Sequence, residues 1–335
     1  MKSHYNVFIS AAGTTAARPL PGCFLLLLLA WDITSCCPGR TAGESRWRRM
    51  SAPWCFHDRL QANPASRDGG DVCAGSTGYR GAGIGADDLV PSGGIEVLRA
   101  DTVIEGMDVA GVIEIKAPRA TVRNCRVRSA GRFPVRVFPA GSLVLENTEI
   151  IGAPSSEAAV AAGNCTARHL DIHGAGDGFR AGSNVIIEGC YIHDLAARDG
   201  HRSNGIRLLS GRNVLISNNT VEMPPGSSSA IMIATDAGPI DNVLIDGNTV
   251  SGGEFIIHSR AGGHAPPAAP TNVRISNNRM GRDFTQGLFS AGGTITFSGN
   301  VWLDSGRAVP VPWQPPAVFQ ETNESYMSGG IHHDL

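Results

Sequence analysis

Residues that could do chemistry are concentrated between positions 171 and 207. This stretch carries arginines, histidines, a tyrosine and aspartates among short apolar runs. Arg180 and Arg207 close two similar triplets, Gly-Phe-Arg at 178–180 and Gly-Ile-Arg at 205–207. Paired guanidinium groups bind carboxylates through parallel hydrogen bonds and stabilise negative charge that develops beside them. A polymer of acidic sugars is therefore a substrate that suits this pair.

Residues able to transfer a proton accompany the arginines, because a neutral His or Tyr can take or give a proton near neutral pH. On a uronic-acid polymer, removal of the C5 proton leads to β-elimination or to C5 epimerisation. The residues to which we assign catalytic roles are Arg180, Arg207, His193, His201 and Asp194. Those to which we assign substrate binding are His173, Asp177, Asp199, Asn204 and Tyr191. Two earlier basic residues, Lys116 and Arg136, would extend a basic groove, and His258 is interpreted as a loop residue.

The aspartates of this stretch allow other interpretations. Hydrolysis of a neutral glycan needs two carboxylates at a set separation, which Asp177 could form with Asp194 or Asp199. A Ca²⁺ ion could use the same oxygen-rich cluster, and this remains the one open cofactor hypothesis. Outward charges on a regular fold are also commonly solvated surface, and Asp177, Asp194 and Asn204 can serve simply as turn caps.

A repeated pattern must position these residues. The sequence NVIIEGCYI at 184–192 recurs as NVLISNNTV at 213–221, NVLIDGNTV at 242–250 and NVRISNNRM at 272–280. Apolar residues alternate within each copy, which is the period of a strand, and a second short strand follows each copy. Short strands in units of roughly 20–30 residues predict an all-β fold, a parallel β-helix solenoid of about nine coils.

Superposing the copies predicts which residues stack. Asp171 lies over Tyr191, His173 over His193 and Arg180 beside Arg207, so that one concave outer face would carry all the candidate residues. Like charges stacked in this way are unfavourable unless an acid or a bound anion lies between them. Four asparagines share an inward position and predict a ladder of amide hydrogen bonds: Asn219, Asn248, Asn278 and Asn300. Cys125 and Cys190 share that position and are interpreted as buried thiols. The residue that follows this position in each copy should face outward, in a column that runs from Arg126 to Arg279 and includes Glu149 and Asp171.

The composition limits the possible partners. The chain has 335 residues, 17% of them charged, and a formal net charge of −2. Without a basic excess, nucleic acid is not an expected partner. The oligomeric state is left open by the sequence.

The termini differ from the repeats. The apolar run at 24–30 is too short to span a membrane and has the length of an export-signal core. We expect an export signal or lipoprotein leader over 1–40, with Cys36 as a possible site of lipid attachment, and a secreted or cell-envelope location. Residues 41–74 are interpreted as a linker, 75–309 as the β-helix domain and 310–335 as a C-terminal tail. Residues 75–100 are expected to lead into the first coil and to cap it.

Several segments carry a resemblance to a known group. They read LVPSGGI at 89–95, TVIEGMDV at 102–109, DIHGAGDG at 171–178, IHD at 192–194 and HRSNGI at 201–206. With them, the chain resembles the secreted right-handed parallel β-helix proteins of the pectate-lyase-like superfamily over about residues 85–302. The resemblance implies a right-handed solenoid that acts on polysaccharide, either as a lyase that uses Ca²⁺ with a Lys or Arg base or as a hydrolase that uses clustered Asp. Neither set of motifs is complete here.

One departure from the resembled pattern bears on function. Similar sequences read His-x-Asp-Gly-Ile-Gln where this chain has Asn204 in place of the Asp and Arg207 in place of the Gln. The resemblance therefore implies that chemistry dependent on that carboxylate is altered or lost. Three hypotheses follow: an exported lyase or epimerase of an acidic polysaccharide, a non-catalytic glycan-binding or structural surface protein, and a glycoside hydrolase.

Overall fold

The computed structural model describes residues 72–196, 202–262, 268–290, 293 and 295–310. The predicted leader, the candidate lipid-attachment residue Cys36 and almost all of the predicted linker and C-terminal tail lie outside these ranges. The described chain is a solenoid of short parallel strands, as predicted. Its helical elements are a single turn, α1 (Gly78–Gly81), and a 3-10 turn (Ala86–Asp88). Neither is long or apolar enough to cross a membrane.

Three parallel sheets run the length of the solenoid, and each coil adds one strand to each sheet. Sheet 1 consists of β1 (Val90–Ser92), β4 (Met107–Ala110), β7 (Arg126–Arg128), β10 (Glu149–Ile151), β13 (Asp171–His173), β16 (Tyr191–Ile192), β19 (Thr220–Glu222), β22 (Thr249–Ser251), β25 (Arg279–Met280) and β28 (Val301–Trp302). Sheet 2 consists of β2 (Ile95–Val97), β5 (Ile113–Ile115), β8 (Val135–Val137), β11 (Ala158–Ala162), β14 (Asp177–Ala181), β17 (Asn204–Leu208), β20 (Ser229–Ala234), β23 (Phe255–Arg260) and β26 (Gly287–Ser290). Sheet 3 consists of β3 (Val103–Glu105), β6 (Ala120–Arg123), β9 (Leu143–Glu146), β12 (Cys165–Arg168), β15 (Val185–Glu188), β18 (Gly211–Ser217), β21 (Ile240–Asp246), β24 (Thr271–Ser276) and β27 (Ile295–Ser298).

The core fills the space between the three sheets. Every second strand residue points inward, and like residues stack from coil to coil, as Ile150, Ile172, Ile192 and Val221 do along sheet 1. All four are fully buried. Each such side chain contributes about 1.5–3 kcal/mol of burial free energy, so the stack stabilises neighbouring coils against each other.

The predicted asparagine ladder is confirmed at the turn from sheet 3 to sheet 1. The side-chain amide of Asn219 donates to Oδ1 of Asn248 (2.9 Å), that of Asn248 to Asn278 (2.9 Å) and that of Asn278 to Asn300 (2.8 Å). Each Oδ1 also accepts the backbone N–H of the ladder residue one coil before. The ladder thereby satisfies polar groups that are closed off from water.

The buried cysteines are confirmed in the same turn of earlier coils. Cys125 and Cys190 are fully buried. Burial raises the pKa of both thiols, that of Cys190 to about 12, which keeps the reactive thiolate form negligible at neutral pH.

A second asparagine ladder, which we did not predict, lies where the chain enters sheet 3, directly before β12 and β15 and within β18 and β21. Its residues all adopt positive φ angles of 47–59°, a conformation that Asn tolerates better than most residues. Each side-chain amide donates to the residue one coil before, in the order Asn242, Asn213, Asn184 and Asn164, at 2.9–3.0 Å. Three of them, Asn184, Asn213 and Asn242, open copies of the repeat.

The segment that precedes the first coil does more than lead into it. The backbone N–H of Gly78 donates to the carbonyl of His169 (2.8 Å), Tyr79 is fully buried, and α1 packs against β10 on the outer face of sheet 1. The expected capping role is therefore wrong for α1. Glu149 and Asp171 point away from the core as predicted, but this segment covers them, so only 5% and 4% of these residues is exposed.

Candidate functional site

The candidate residues fall on two different sheets. Asp177 and Arg180 belong to β14, and Asn204 and Arg207 to β17, so these four lie on sheet 2. The other candidates, His173, Tyr191, His193 and Asp194, lie on or directly after strands of sheet 1. The prediction of a single face that carries both sets is therefore wrong. Asp199 and His201 lie outside the described residues.

A groove of about 480 Å³ opens on sheet 2. Its charged and amide-bearing lining residues are Glu157, Asp177, Arg180, Arg202, Asn204 and Arg207. The predicted register holds, since Arg180 pairs with Arg207 in neighbouring strands. None of the sheet 1 candidates lines this groove.

Asp177 lies at the centre of the groove and is 4% exposed. Its Oδ2 accepts hydrogen bonds from Arg180 Nη2 (3.2 Å) and Arg207 Nη1 (3.4 Å). The acid expected between the stacked arginines is therefore the chain's own carboxylate. Asp177 is the only described carboxylate in contact with Arg207, so the pair retains capacity for another anion.

Glu157 is a groove residue that the sequence analysis missed. Its Oε2 accepts from Arg180 Nη1 and its Oε1 from Arg132 Nε, both at 2.9 Å. Burial acts to raise the pKa of Glu157, but the hydrogen bonds from the two arginines outweigh it and hold the pKa below its ordinary value. Glu157 is therefore ionised at neutral pH and unsuited to be a general acid.

Asn204 is an amide for a structural reason. Its backbone N–H and its Nδ2 donate to Asp177 Oδ1 (3.0 and 3.1 Å), while its Oδ1 accepts from Ser229 Oγ (2.9 Å). A carboxylate here could not donate to Asp177 and would repel it. The groove thus pairs one carboxylate with one amide. The alternative partner Asp194 has an 86% exposed side chain at the other sheet, so the described residues do not form the predicted aspartate pair.

Three donor groups of the groove have no partner. The Nε of Arg180, the Nε of Arg207 and the Oγ of Ser203 are buried, and no acceptor within the described ranges reaches them. Buried polar groups are normally hydrogen-bonded, because leaving one unpaired costs about 1–3 kcal/mol. The two arginines that carry two of these groups line the groove, and the side chain of each is 26% exposed.

On sheet 1, His193 lies between two carboxylates. Its Nε2 is 2.9 Å from Asp171 Oδ1, its Nδ1 is 2.8 Å from Asp194 Oδ2, and its ring stacks on Tyr191 and His173 at centroid distances of 4.1 and 5.1 Å. Burial acts to lower the pKa of His193, but the two carboxylates prevail and raise it above its ordinary value. Both ring nitrogens are engaged, which makes His193 a poor proton acceptor.

Tyr191 is equally unsuited to act as a base. Its hydroxyl donates to Glu222 Oε2 (2.7 Å), and burial together with this carboxylate raises the pKa of the phenol far above neutral. The neighbouring His173 lies 3.5 Å from Glu149. The sheet 1 cluster is thus a network of hydrogen bonds and stacked rings that holds the coils and the covering segment together.

A neutral histidine was missed on sheet 2. His258 belongs to β23, and the register runs from Arg207 through Met232 to His258, so all three share one outward column. Burial, with Arg260 nearby, lowers the pKa of His258, and its buried Nδ1 has no partner in the described part of the chain. The loop interpretation of His258 is therefore wrong, because His258 is a strand residue of sheet 2 in the same column as the groove arginines.

The groove does not fit the Ca²⁺ ion that the resemblance implies. Among the residues described, no group of three or more His, Cys, Asp or Glu side chains is placed to hold a metal ion. Both oxygens of Asp177 already accept hydrogen bonds, and the guanidinium groups of Arg180 and Arg207 beside it would repel a cation.

Comparison with known proteins agrees with the architecture. A family model described as "Right handed beta helix region" matches residues 110–302. A search of curated proteins gave no match. Among solved structures, a tailspike protein mutant of Escherichia coli bacteriophage HK620, in complex with a pentasaccharide, is similar at 15% identity with a TM-score of 0.40, over 64% of this chain and 43% of that one.

Two further tailspikes are similar in fold. One, from Acinetobacter baumannii bacteriophage Fri1, is a capsular polysaccharide depolymerase and aligns at 11% identity with a TM-score of 0.34, over 68% of this chain and 58% of that one. The other, the Dettilon tailspike, aligns at 13% identity with a TM-score of 0.27, over 60% and 54%. The alignments thus span 43–58% of the tailspike chains, and at these identities the likeness concerns the fold alone.

Proposed function

This chain belongs to the right-handed β-helix family, and from that premise we propose that it is a carbohydrate-binding protein that takes a segment of an acidic polysaccharide into the sheet 2 groove. One observation carries the proposal. Arg180 and Arg207 lie side by side in a groove that is open to a ligand, each side chain is 26% exposed, and Asp177 is the only described carboxylate that Arg207 contacts. A sugar carboxylate would accept hydrogen bonds from this pair.

The charge of the groove favours an anionic ligand. When the ion-pair partners of the lining residues are included, the four arginines Arg132, Arg180, Arg202 and Arg207 face the three acids Glu157, Asp177 and Glu254, which leaves one net positive charge. Ser203 and Asn204 add a hydroxyl and an amide of the kind that hold sugar hydroxyls. The same arrangement would bind a neutral glycan less well, because the unpaired guanidinium donors prefer a charged acceptor.

Calorimetric titration with polyuronates and with neutral glucans tests the proposal. We expect polyuronate binding that weakens with salt, and about tenfold weaker binding for Arg180→Ala and for Arg207→Ala, since each removes a charge-assisted hydrogen bond. Arg123→Ala is the matched control, because Arg123 is an exposed arginine on sheet 3 that pairs with Glu105. Equal binding by all four proteins, or a preference for neutral glucan, would contradict the proposal.

A second candidate function is β-elimination, which the position of His258 favours. A neutral imidazole in the same outward column as the two arginines, two strand spacings beyond Arg207, is a suitable base for the C5 proton of a sugar unit that follows the one held by Arg207. Absorbance of the unsaturated uronate product, with and without Ca²⁺, tests this reaction, and NMR of the polymer tests epimerisation. Activity that His258→Ala abolishes and His193→Ala retains would support it. No product with binding retained would leave the binding function alone.

Export is part of the proposal, because the apolar run at 24–30 predicts an export signal. Fractionation of cells that express the full chain tests it, and Cys36→Ser distinguishes lipid attachment from free secretion. Recovery of the protein only from the cytosol would refute this part.

A further inference from the structure

Arg136 is a basic side chain of sheet 2 that lies against aromatic rings. It is exposed on β8, and no carboxylate in the described part of the chain pairs with it. The acid in register with it on β5, Glu114, pairs with Lys116 instead. Two aromatic rings hold the guanidinium, whose Cζ lies 4.3 Å from the centroid of Phe138 and 5.7 Å from that of Phe133.

Phe133 connects Arg136 to the groove. The Cζ of Arg180 lies 5.6 Å from the same ring centroid, so one phenyl ring contacts both guanidinium groups. Between the two arginines, the register places only Ala161. The arginines are therefore two strand spacings apart, about 9.6 Å along sheet 2, with a small side chain between them.

We infer that Arg136 forms a second anion-binding subsite of the groove, and that the ligand is a polymer with negative groups on both sides of Ala161. This inference rests on the proposed function and specifies it. One acidic group would bind at Arg180 and Arg207, the next at Arg136, and the chain between them would cross Ala161. Cation–π contacts with Phe133 and Phe138 keep Arg136 in place without neutralising its charge, which leaves that charge available to a ligand.

The ends of the column limit the length of the bound segment. Beyond Arg136, the next two side chains of the column are the acids Glu114 and Glu96, which both contact Lys116, so the basic groove predicted to extend that far stops at Arg136. Beyond Arg207, the next outward side chain is Met232, which carries no charge. The positive part of the column thus spans the strands from β8 to β17, and a short acidic ligand could occupy only one of its two subsites.

Titration of the full chain with oligogalacturonates of two lengths tests the inference. A digalacturonate should bind at Arg180 and Arg207 alone, whereas a hexagalacturonate should reach Arg136 as well. For Arg136→Ala we expect about tenfold weaker binding of the hexamer and unchanged binding of the dimer. For Arg180→Ala we expect weaker binding of both, and Arg123→Ala serves as the control. Arg136 is exposed, so its replacement leaves the core intact.

A second variant tests the positioning role of Phe133. Phe133→Leu should weaken hexamer binding about as much as Arg136→Ala does. Phe133→Trp should bind the hexamer as the unaltered chain does, because an indole ring also holds guanidinium groups by cation–π contact. A residue that acts only by filling space would show no such difference between an aromatic and an aliphatic replacement.

The outcomes separate this inference from the proposed function. Equal hexamer affinity of Arg136→Ala and the unaltered chain, with Arg180→Ala still weakened, would overturn the second subsite and leave the groove function standing. Absence of binding for both lengths in the unaltered chain would overturn both.

Discussion

Asn204→Asp restores the carboxylate of the resembled motif and tests the hydrogen bonding between Asn204 and Asp177 in the groove. Asn204 donates two hydrogen bonds to Asp177 Oδ1, one of them from its side chain at 3.1 Å. An aspartate of the same shape would keep the bond from Ser229. It would replace the side-chain donor by an oxygen that repels Asp177. The variant therefore changes the electrostatics of the groove while its packing stays the same.

The magnitude follows from the distance. Two unit negative charges 3.1 Å apart repel by about 5 kcal/mol at an effective dielectric constant of 20. The lost hydrogen bond adds about 1 kcal/mol, and Arg180 and Arg207, at 3.2 and 3.4 Å from the other oxygen of Asp177, offset part of the total. We expect a net destabilisation of about 2–4 kcal/mol near pH 7, and an upward shift of about two units in the pKa of one carboxyl of the pair.

The sign of the pH dependence follows from that shift. An acid whose pKa is higher in the folded state binds more protons there, so the stability deficit of Asn204→Asp grows as the pH rises from about 4 to about 6. Below about pH 4 the introduced carboxyl carries its proton in the folded and in the unfolded state, so the repulsion disappears. Urea unfolding of the variant and the unaltered chain across this range measures the difference. A variant as stable as the unaltered chain at neutral pH would refute the contact between positions 204 and 177.

Three further predictions concern stability. Asn248→Ala removes a fully buried ladder amide and should lower the free energy of unfolding, measured by urea titration, by about 3 kcal/mol. The neighbouring Thr249→Ala should lower it by less than about 1 kcal/mol. Equal effects of the two substitutions would argue against the ladder. The raised pKa of His193 stabilises the fold below about pH 6.5, and this contribution is lost as the pH rises through the raised value. His193→Gln should therefore flatten the dependence of Tm on pH in that window. An unchanged curve would contradict the pairing of His193 with Asp171 and Asp194. Arg80→Ala leaves the buried Glu149 with one partner fewer, so it should lower the free energy of unfolding by about 1 kcal/mol and speed proteolysis of the covering segment. An unchanged digestion rate would show that Arg80 does not hold this segment in place.

The register of the coils could be predicted from the sequence because copies of one pattern must superpose. A slip by one residue would move every inward Val or Ile to the outside, so only one alignment buries all of them. This reasoning correctly predicted that His173 stacks on His193 and that Arg180 pairs with Arg207. It also correctly predicted the inward asparagine ladder.

The division of the candidate site could not be predicted in the same way. Register along one sheet says nothing about the direction in which each of three sheets faces, so the histidines and arginines were placed on one surface. Glu157 lies directly before β11, outside the repeated pattern, and no copy of the repeat indicates its contacts. The fold-back of Gly78 onto sheet 1 depends on a long-range contact with His169, for which the local sequence carries no signal.

The tight turn between sheet 3 and sheet 1 has a consequence for how this protein can change. In the described coils it consists of one residue at Gly106 and of two residues elsewhere, and its first residue always has a positive φ. Inserted residues there would displace the ladder and the register of everything after it. The turns into and out of sheet 2 vary in length without disturbing the core. New segments can therefore be added beside the groove, by evolution or by loop grafting, while the scaffold stays unchanged, and ligand preference can diversify independently of folding.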